Sequence, residues 1–270
     1  MLGNALTSAF AAEPVALRAY TKPDLDITDL PAIRAALREM APDVVINCAA
    51  YTRVDDAETN QEEAYRINAV GAGQLAGVCR ELGARYVYPS TDYVFDGNTD
   101  VPYTPVSPPA PLNAYGRSKL AGEAVAKAAG DYLIVRTSWL YGEAGHNFVR
   151  AIVARLRAGQ PLRVVSDQCG APTWTQDLAR ALIALLKCAA PSGIYHVTNA
   201  GSTTWYDFAR EIAATLGISA SIEACTTEQY GALAARPRFS VLDCSSVTSL
   251  IGELRDWRPA LHEALQSGRF

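Results

Sequence analysis

Residues 43–50, DVVINCAA, form a continuous apolar run that ends in small residues. A run of this kind is typical of a strand that is buried on both faces of a parallel sheet. Before it, Thr28 and Asp29 cap a helical stretch over residues 30–40, with Pro31 in its first turn. The helix and the strand together indicate one unit of an alternating α/β fold.

The same alternation continues on both sides of this unit. Strand-like segments lie at residues 14–20, 84–90 and 131–138, and helical segments lie at residues 61–82 and 115–129. Strands that alternate with helices in this way predict a doubly wound, Rossmann-type parallel sheet.

The second half of the chain is less regular. We predict helices over 147–158, 175–188 and 204–216, strands over 161–166 and 193–198, and short extended pieces near 221–225 and 239–243. From this we expect a dinucleotide-binding domain over residues 1–145 and a smaller, mostly substrate-binding lobe over 146–270. Segments near 170–200 and 236–246 are expected to return to the first domain.

The first ten residues, MLGNALTSAF, have the pattern of a helix that follows a glycine-rich turn. A dinucleotide-binding sheet normally opens with a strand, then that turn, then the helix, and Gly3 would be the turn's last glycine. We therefore expect that the first strand and the earlier glycines are missing through truncation, the alternative being that the nucleotide is held differently.

Composition excludes several classes of protein. The formal net charge of −4 disfavours nucleic-acid binding, which usually needs a basic domain. No run of about 18 apolar residues predicts a membrane span, and the N-terminus lacks the basic region of a signal peptide. Six cysteines form no CxxC pair and only three histidines are present, so no metal site is expected. Scattered free cysteines indicate a cytoplasmic protein.

Tyr115 and Lys119 carry the clearest chemical signal, because residues four apart on a helix share one face. An ammonium beside a phenol favours the phenolate, which would help the tyrosine to exchange protons. Alone, such a pair is more often an ordinary feature of a helix surface.

A second polar segment, Ser90-Thr91-Asp92, follows a predicted strand. Ligands of a doubly wound sheet bind outside the carboxyl ends of its strands. A hydroxyl there could bind the carbonyl oxygen that Tyr115 protonates, although a polar turn with a side-chain cap remains an alternative.

Seven segments now reveal a family resemblance. They are INCAAYTRVDDAE (46–58), STDYVFDG (90–97), PLNAYGRSKLAGE (111–123), RTSWLYG (136–142), NFV (147–149), DQCGAPT (167–173) and RPRFSVLD (236–243). In this order they resemble the dTDP-4-dehydrorhamnose reductases of the extended short-chain dehydrogenase/reductase superfamily. The missing first strand and glycine-rich turn are the departure from that family.

The resemblance implies a role for each matched residue. Tyr115 is the expected proton donor, Lys119 is expected to hold the nicotinamide ribose and lower the tyrosine pKa, and Thr91 is the expected catalytic hydroxyl. The other residues expected at the cofactor are Gly3, Asp26, Ile27, Ala49, Ala50 and Tyr51. Those expected at the substrate, beside Thr91, are Asp92, Trp139, Asn147 and Arg236. A surface position for Arg236, simple packing for Trp139 and a turn or helix cap for Asp26 stay open.

The implied reaction is reduction of the 4-keto group of dTDP-4-dehydro-L-rhamnose, with hydride from a nicotinamide cofactor. The segment 14–20 would be the second strand of the sheet once the missing first strand is counted. An acidic residue at its end would select NADH, but none lies there, and Lys22 could meet a 2′-phosphate. NADPH is therefore expected, and NADH stays open. A non-catalytic regulatory subunit of the same fold, and another sugar-nucleotide epimerase or dehydratase, are the alternatives. The expected partner is a dTDP-sugar, and a homodimer is left open.

Overall fold

The computed structural model describes residues 1–270 and contains ten strands. They are β1 (Val44–Ile46), β2 (Arg85–Thr91), β3 (Tyr132–Thr137), β4 (Leu140–Tyr141), β5 (Leu162–Val165), β6 (Cys169–Gly170), β7 (Thr173–Trp174), β8 (Gly193–His196), β9 (Thr203–Thr204) and β10 (Ile222–Cys225). The twelve α-helices are α1 (Leu2–Phe10), α2 (Leu30–Met40), α3 (Val54–Thr59), α4 (Gln61–Tyr65), α5 (Ala72–Leu82), α6 (Ala114–Ala126), α7 (Phe148–Arg157), α8 (Thr175–Lys187), α9 (Trp205–Thr215), α10 (Thr227–Tyr230), α11 (Ser245–Ile251) and α12 (Trp257–Gln266).

The central sheet is parallel, with the spatial order β1-β2-β3-β8. Its side chains alternate between two apolar cores. Val87 and Leu133 pack on one face with residues of α1 and α8, whereas Tyr86 and Ile134 pack on the other with residues of α2 and α5. Helices therefore cover both faces, and the predicted doubly wound α/β fold is confirmed.

Two predictions about the start of the sheet are wrong. Residues 14–20 form no strand, and only Val44–Ile46 of the run 43–50 join the ladder. Because β1 pairs only with β2, it is the edge strand of the sheet, and its three residues are partly exposed instead of fully buried. Residues 14–20 have no strand to pair with, and an extended segment without a neighbour leaves its backbone groups to water. No strand precedes β1 in residues 1–270.

The helix predicted over residues 61–82 has an unexpected interior. Between α4 and α5, residues Arg66–Gly71 form a π-helical segment. Such segments are rare and are frequent at functional sites, since the wider turn frees backbone groups for other bonds.

A separate apolar core lies in the second half of the chain. It joins α7, α9 and α12 with β5 and includes Phe208 and Trp257. In contrast, α8 packs on α1, and β8 extends the central sheet, so residues 175–196 belong with the first core. The boundary at residue 145, and the return of residues 236–246, stay predictions.

None of the helices is both long and apolar enough to cross a membrane. No three side chains of His, Cys, Asp or Glu are grouped so that they could share a metal ion.

Candidate active site

The site begins at the N-terminus of α6. Asn113 is the N-cap residue, and its side chain accepts a hydrogen bond of 2.7 Å from the Gly116 N–H. The Ala114 N–H donates to the Glu58 carboxylate at 2.7 Å. These bonds satisfy helix donors that would otherwise lack partners, and they fix the first turn, which carries Tyr115.

Gly116 lets α6 come close to the segment that follows β2. A side chain at this position would overlap with the backbone carbonyl of Tyr93. The close approach brings Tyr115 next to Thr91 at the carboxyl end of β2, the edge of the sheet where ligands of this fold bind.

Thr91 is the centre of a short hydrogen-bond chain. Its Oγ1 accepts from the Tyr93 N–H at 3.1 Å and donates to Asp92 Oδ1 at 3.1 Å. A hydrogen bond with Thr91 also lowers the pKa of Tyr115. The predicted group of Thr91, Asp92 and Tyr115 is therefore brought together by the fold.

The expected effect of Lys119 on Tyr115 is not found. Removal from water raises the pKa of Tyr115 to about 12. The hydrogen bond with Thr91 lowers this pKa, and the charge of Asp92 raises it further. Lys119 has no resolved influence on it. Burial of the phenol dominates, because desolvation disfavours the charged phenolate. At neutral pH Tyr115 therefore keeps its proton.

Lys119 is instead held by the strand. Its side chain is only 3% exposed, and Nζ donates to the Pro89 carbonyl at 2.7 Å and lies 3.9 Å from the centre of the Tyr88 ring. Burial lowers the pKa of Lys119 to about 7, and the charge of Glu123 acts against this shift. An ammonium has three donors. The Pro89 carbonyl takes one, so Lys119 can still bind the hydroxyls of a ligand.

One buried network was missed by the sequence reasoning. Glu123, one turn after Lys119, pairs with Arg136 through two bonds of 2.7 and 2.9 Å, and Ser90 donates to the same carboxylate at 2.5 Å. Both charged side chains are at most 3% exposed. His196 lies 3.4 Å from Arg136, and burial together with the guanidinium lowers its pKa to about 3. The only sign of this network in the sequence was Arg136, a charged residue inside the apolar run of β3.

Asn68 is a second residue that was missed. It lies in the π-helical segment, and its side chain binds the backbone N–H and carbonyl of Tyr51 at 2.8 and 3.0 Å and the Ser118 hydroxyl at 2.9 Å. The backbone carbonyl of Asn68 accepts from the Tyr88 hydroxyl at 2.8 Å. Asn68 thereby ties the loop after β1 to the helix of Tyr115 and Lys119.

One residue expected at the cofactor, Gly3, is linked to Lys119 through Cys48. A Cβ placed on Gly3 would lie 3.6 Å from Cys48, and the Cys48 and Lys119 side chains are close enough to influence each other's pKa. Cys48 and the next residue, Ala49, are exposed. Small exposed residues beside an ammonium that has unused donors fit a dinucleotide that lies across the carboxyl-terminal ends of the strands.

The two residues expected at the adenine lie in the segment before α2. Asp26 accepts from the backbone N–H and the hydroxyl of Thr28, both at 2.8 Å, so the carboxylate serves a turn. Ile27 contacts Gly71, where an added Cβ would lie 2.9 Å from its side chain.

Trp139 has an unusual backbone and a covered ring. Its φ is 47°, and its ring stacks on Trp205 with centroids 3.5 Å apart and planes 7° apart. A side chain at Gly170 would collide with the same ring. Strained conformations of this kind persist where the surroundings fix them, often at ligand sites. Trp205 was not identified from the sequence.

Asn147 and Arg236 are both engaged within the chain. Asn147 caps α7 by accepting from the Arg150 N–H at 3.1 Å, and it donates to the Gly142 carbonyl at 2.8 Å. Arg236 forms two bonds of 2.8 and 3.1 Å with Asp55. Burial raises the pKa of Tyr93, and the nearby Arg236 acts against that rise. Arg236 is thus close to the segment that contacts Tyr115, whereas the polar atoms of Asn147 already have partners.

Comparison with known proteins gives a consistent result. The model of the family described as RmlD substrate binding domain matches residues 1–270. A dTDP-4-dehydrorhamnose reductase of Streptomyces griseus is 45% identical over 98% of this chain and 90% of its own. A dTDP-4-keto-6-deoxy-D-glucose reductase of Streptomyces niveus is 41% identical over 98% and 93%. The crystal structure of a dTDP-4-dehydrorhamnose reductase from Bacillus anthracis in complex with NADP superimposes with a TM-score of 0.95, at 38% identity over 98% of this chain and 95% of that one.

Proposed function

The chain belongs to the RmlD substrate binding domain family, and on that premise we propose that it reduces the 4-keto group of dTDP-4-dehydro-L-rhamnose with NADPH. The observation that carries the proposal is that Tyr115, in the first turn of α6, lies beside Thr91 at the carboxyl end of β2. Reduction of a ketone needs a proton donor at the oxygen, and a phenol that holds its proton at neutral pH is in the required form.

Each of the three residues has a separate task. Tyr115 donates its proton to the keto oxygen as the C–O bond becomes single. The Thr91 hydroxyl hydrogen-bonds the same oxygen, so that the substrate is held at proton-transfer distance. Lys119 binds the ribose of the cofactor through the donors that Pro89 leaves unused. When bound, NADPH supplies the hydride to C4.

The remaining roles belong to the proposal as well. Gly3, Ala49, Ala50 and Tyr51 are proposed to border the cofactor. The closeness of Gly3 to Cys48, and of Cys48 to Lys119, supports this for Gly3. Asp26 and Ile27 are proposed to lie near the adenine. Thr91, Asp92, Trp139, Asn147 and Arg236 are proposed to contact the sugar nucleotide. For Arg236, the substrate diphosphate would have to compete with Asp55 for the guanidinium.

The identity of the sugar is the most specific part of the proposal. The two relatives carry names with different dTDP-4-keto sugars, dehydrorhamnose and 4-keto-6-deoxy-D-glucose. We propose the former because the seven motifs between residues 46 and 243 resemble those of the rhamnose reductases. A cytoplasmic location is proposed as well, and six free cysteines support a reducing compartment. The homodimer stays a prediction.

The test is NADPH oxidation by the wild-type chain and by Tyr115→Phe, with each of the two dTDP-4-keto sugars. The phenylalanine keeps the ring and removes only the hydroxyl, so kcat should fall by about 10²–10⁴-fold. Affinity for NADPH, followed by titration, should change little. A variant that works within a factor of two of the parent contradicts the role of Tyr115, and faster turnover of the deoxyglucose derivative contradicts the choice of sugar.

A further inference from the structure

Trp139 lies at the carboxyl end of the sheet in an unfavourable backbone conformation. β3 ends at Thr137, which pairs in register with Thr91, and Trp139 follows two residues later. Its φ of 47° is in the left-handed region, which a bulky residue rarely adopts. A conformation of this kind persists only where the surrounding structure fixes it. The contacts that hold Trp139 therefore determine how its ring is presented at this end of the sheet.

One face of the Trp139 ring lies on Trp205, the first residue of α9. The two indole rings are stacked, with centroids 3.5 Å apart and planes 7° apart. Trp205 also packs against Phe148 and Phe208, at ring-centroid distances of 4.5 and 6.5 Å. Phe208 belongs to the apolar core of the second half of the chain. Trp205 thus joins that core to the end of the central sheet, and its flat face sets the plane in which the Trp139 ring can lie.

Residues 167–173, DQCGAPT, hold this pair of rings in place. Gln168 is only 4% exposed, and its Oε1 accepts from the Trp205 indole N–H at 3.1 Å. Gly170 leaves room for the Trp139 ring, because an added Cβ would lie 2.5 Å from a ring atom. The proposed reaction gives this segment no other task, yet two of its residues contact the two tryptophans.

The indole N–H of Trp139 can reach a ligand. The chain has four tryptophans, and the N–H of Trp205 is hydrogen-bonded, while those of Trp174 and Trp257 are buried without a partner. The N–H of Trp139 has no partner in the chain and is not sealed from water. An indole N–H only donates. It therefore suits the hydroxyl or phosphate oxygens of a sugar nucleotide, provided that the ring is held at the correct angle.

We propose that Trp205 is a positioning residue for the sugar nucleotide. By stacking on Trp139, it sets the plane of that ring and the direction of its N–H, and Gln168 fixes the Trp205 ring in turn. This inference rests on the proposed function, in which Trp139 contacts the sugar nucleotide. The aromatic rings on which Trp205 packs are not among the residues proposed at the cofactor. Loss of the stack should therefore weaken binding of the sugar nucleotide and spare binding of NADPH.

The experiment replaces the aromatic face while it keeps the apolar bulk. Trp205→Leu should raise the KM for dTDP-4-dehydro-L-rhamnose by about 3–10-fold, the range expected for the loss of one aromatic pair. The values of kcat and of the affinity for NADPH should stay close to those of the wild type. Trp205→Phe restores an aromatic face without the bond to Gln168, and its KM should lie between the two. The dissociation constant of the product, dTDP-L-rhamnose, measured by calorimetry, should follow the same order.

A double variant separates positioning from direct contact. If Trp205 acts only through Trp139, then Trp205→Leu should have little further effect on KM once Trp139→Leu is present, because residues that act through one another are not additive. Additive effects would show that Trp205 touches the sugar nucleotide itself, and they would overturn the proposal. An unchanged KM and an unchanged product affinity in Trp205→Leu would overturn it as well.

Tyr206→Leu is the matched control. Tyr206 is the next residue of α9 and packs against the same apolar core, with its ring 5.7 Å from the Arg210 guanidinium. This variant should keep the wild-type KM, and an equal rise would mean that any loosening of α9 weakens binding, contrary to the proposal. If the wild-type chain oxidises no NADPH with either sugar, the proposed function fails. The calorimetric comparison with dTDP-L-rhamnose then decides the role of Trp205 separately, and absence of binding by the wild type overturns it too.

Discussion

The centre of the sheet and its edge carry similar apolar strands but bury them differently. Tyr86 and Val87 in β2 are fully buried, as is Leu133 in β3, whereas all three residues of β1 are partly exposed. The central strands have a neighbour on each side, and β1 has one. Burial of an apolar strand thus depends on its neighbours as much as on its own composition.

Charged side chains differ between the two regions in the same way. Glu123 and Arg136 form a pair at the centre that is shielded from water, while Arg34 and Glu81 form a pair on the helices near the edge and are each about 40% exposed. Water screens the outer pair and replaces a lost partner, but it cannot do so for the inner pair.

The largest expected effect follows from breaking the inner pair. Glu123→Ala leaves the Arg136 guanidinium buried without its partner, which should lower the free energy of unfolding by about 3–5 kcal/mol. Urea denaturation followed by circular dichroism measures the change. Glu81→Ala is the control and should leave the urea midpoint almost unchanged. Equal shifts for the two variants would show that the centre and the edge do not differ.

A smaller effect is expected from one substitution made at two helix glycines. A side chain at Gly122 in α6 would collide with the Tyr88 hydroxyl and the Asn68 carbonyl, while one at Gly77 in α5 meets no atom within 4 Å. Gly122→Ala should therefore lower the free energy of unfolding by about 1–3 kcal/mol through overpacking. Gly77→Ala should raise it by about 0.5–1 kcal/mol, because alanine favours the helix. Thermal and urea unfolding measure both, and shifts of the same sign would refute the packing argument for α6.

The smallest expected effect compares the strands directly. Val87→Thr places a hydroxyl in the sealed centre of the sheet and should cost about 1–2 kcal/mol of unfolding free energy. Val45→Thr makes the same change in β1, where the side chain is partly exposed and the hydroxyl can reach water. It should cost clearly less in the same urea titration. A cost at Val45 that matches the cost at Val87 would mean that β1 is as well covered as β2.

Much of the fold was predictable because its signals are local. The cap of residues 30–40, the helical periodicity of residues 30–40 and 175–188, and the apolar runs that became β2 and β3 depend on neighbouring residues in the chain. The strand predicted over residues 14–20 was wrong because strand formation needs a partner, and the sequence of a segment does not state whether one is present.

The site was predictable in part. The sequence placed Thr91, Asp92 and Tyr115 at the carboxyl-terminal ends of the strands, because these ends lie together in a parallel sheet. It did not reveal Asn68, since a π-helical turn leaves no clear pattern in the residues. Nor did it reveal that Glu123 and Arg136, 13 positions apart, would meet in the interior.

The sequence by itself determined the alternating α/β fold and the types of residue that carry the chemistry, because periodicity and motif spacing are properties of the chain. Only the tertiary structure decided that β1 lies at an edge, that Lys119 bonds to the Pro89 carbonyl, and that Tyr115 keeps its proton. Strand neighbours, access to water and the distance between charges arise when remote segments pack together. These three quantities set burial and pKa, so the acid–base state of the site follows from the fold.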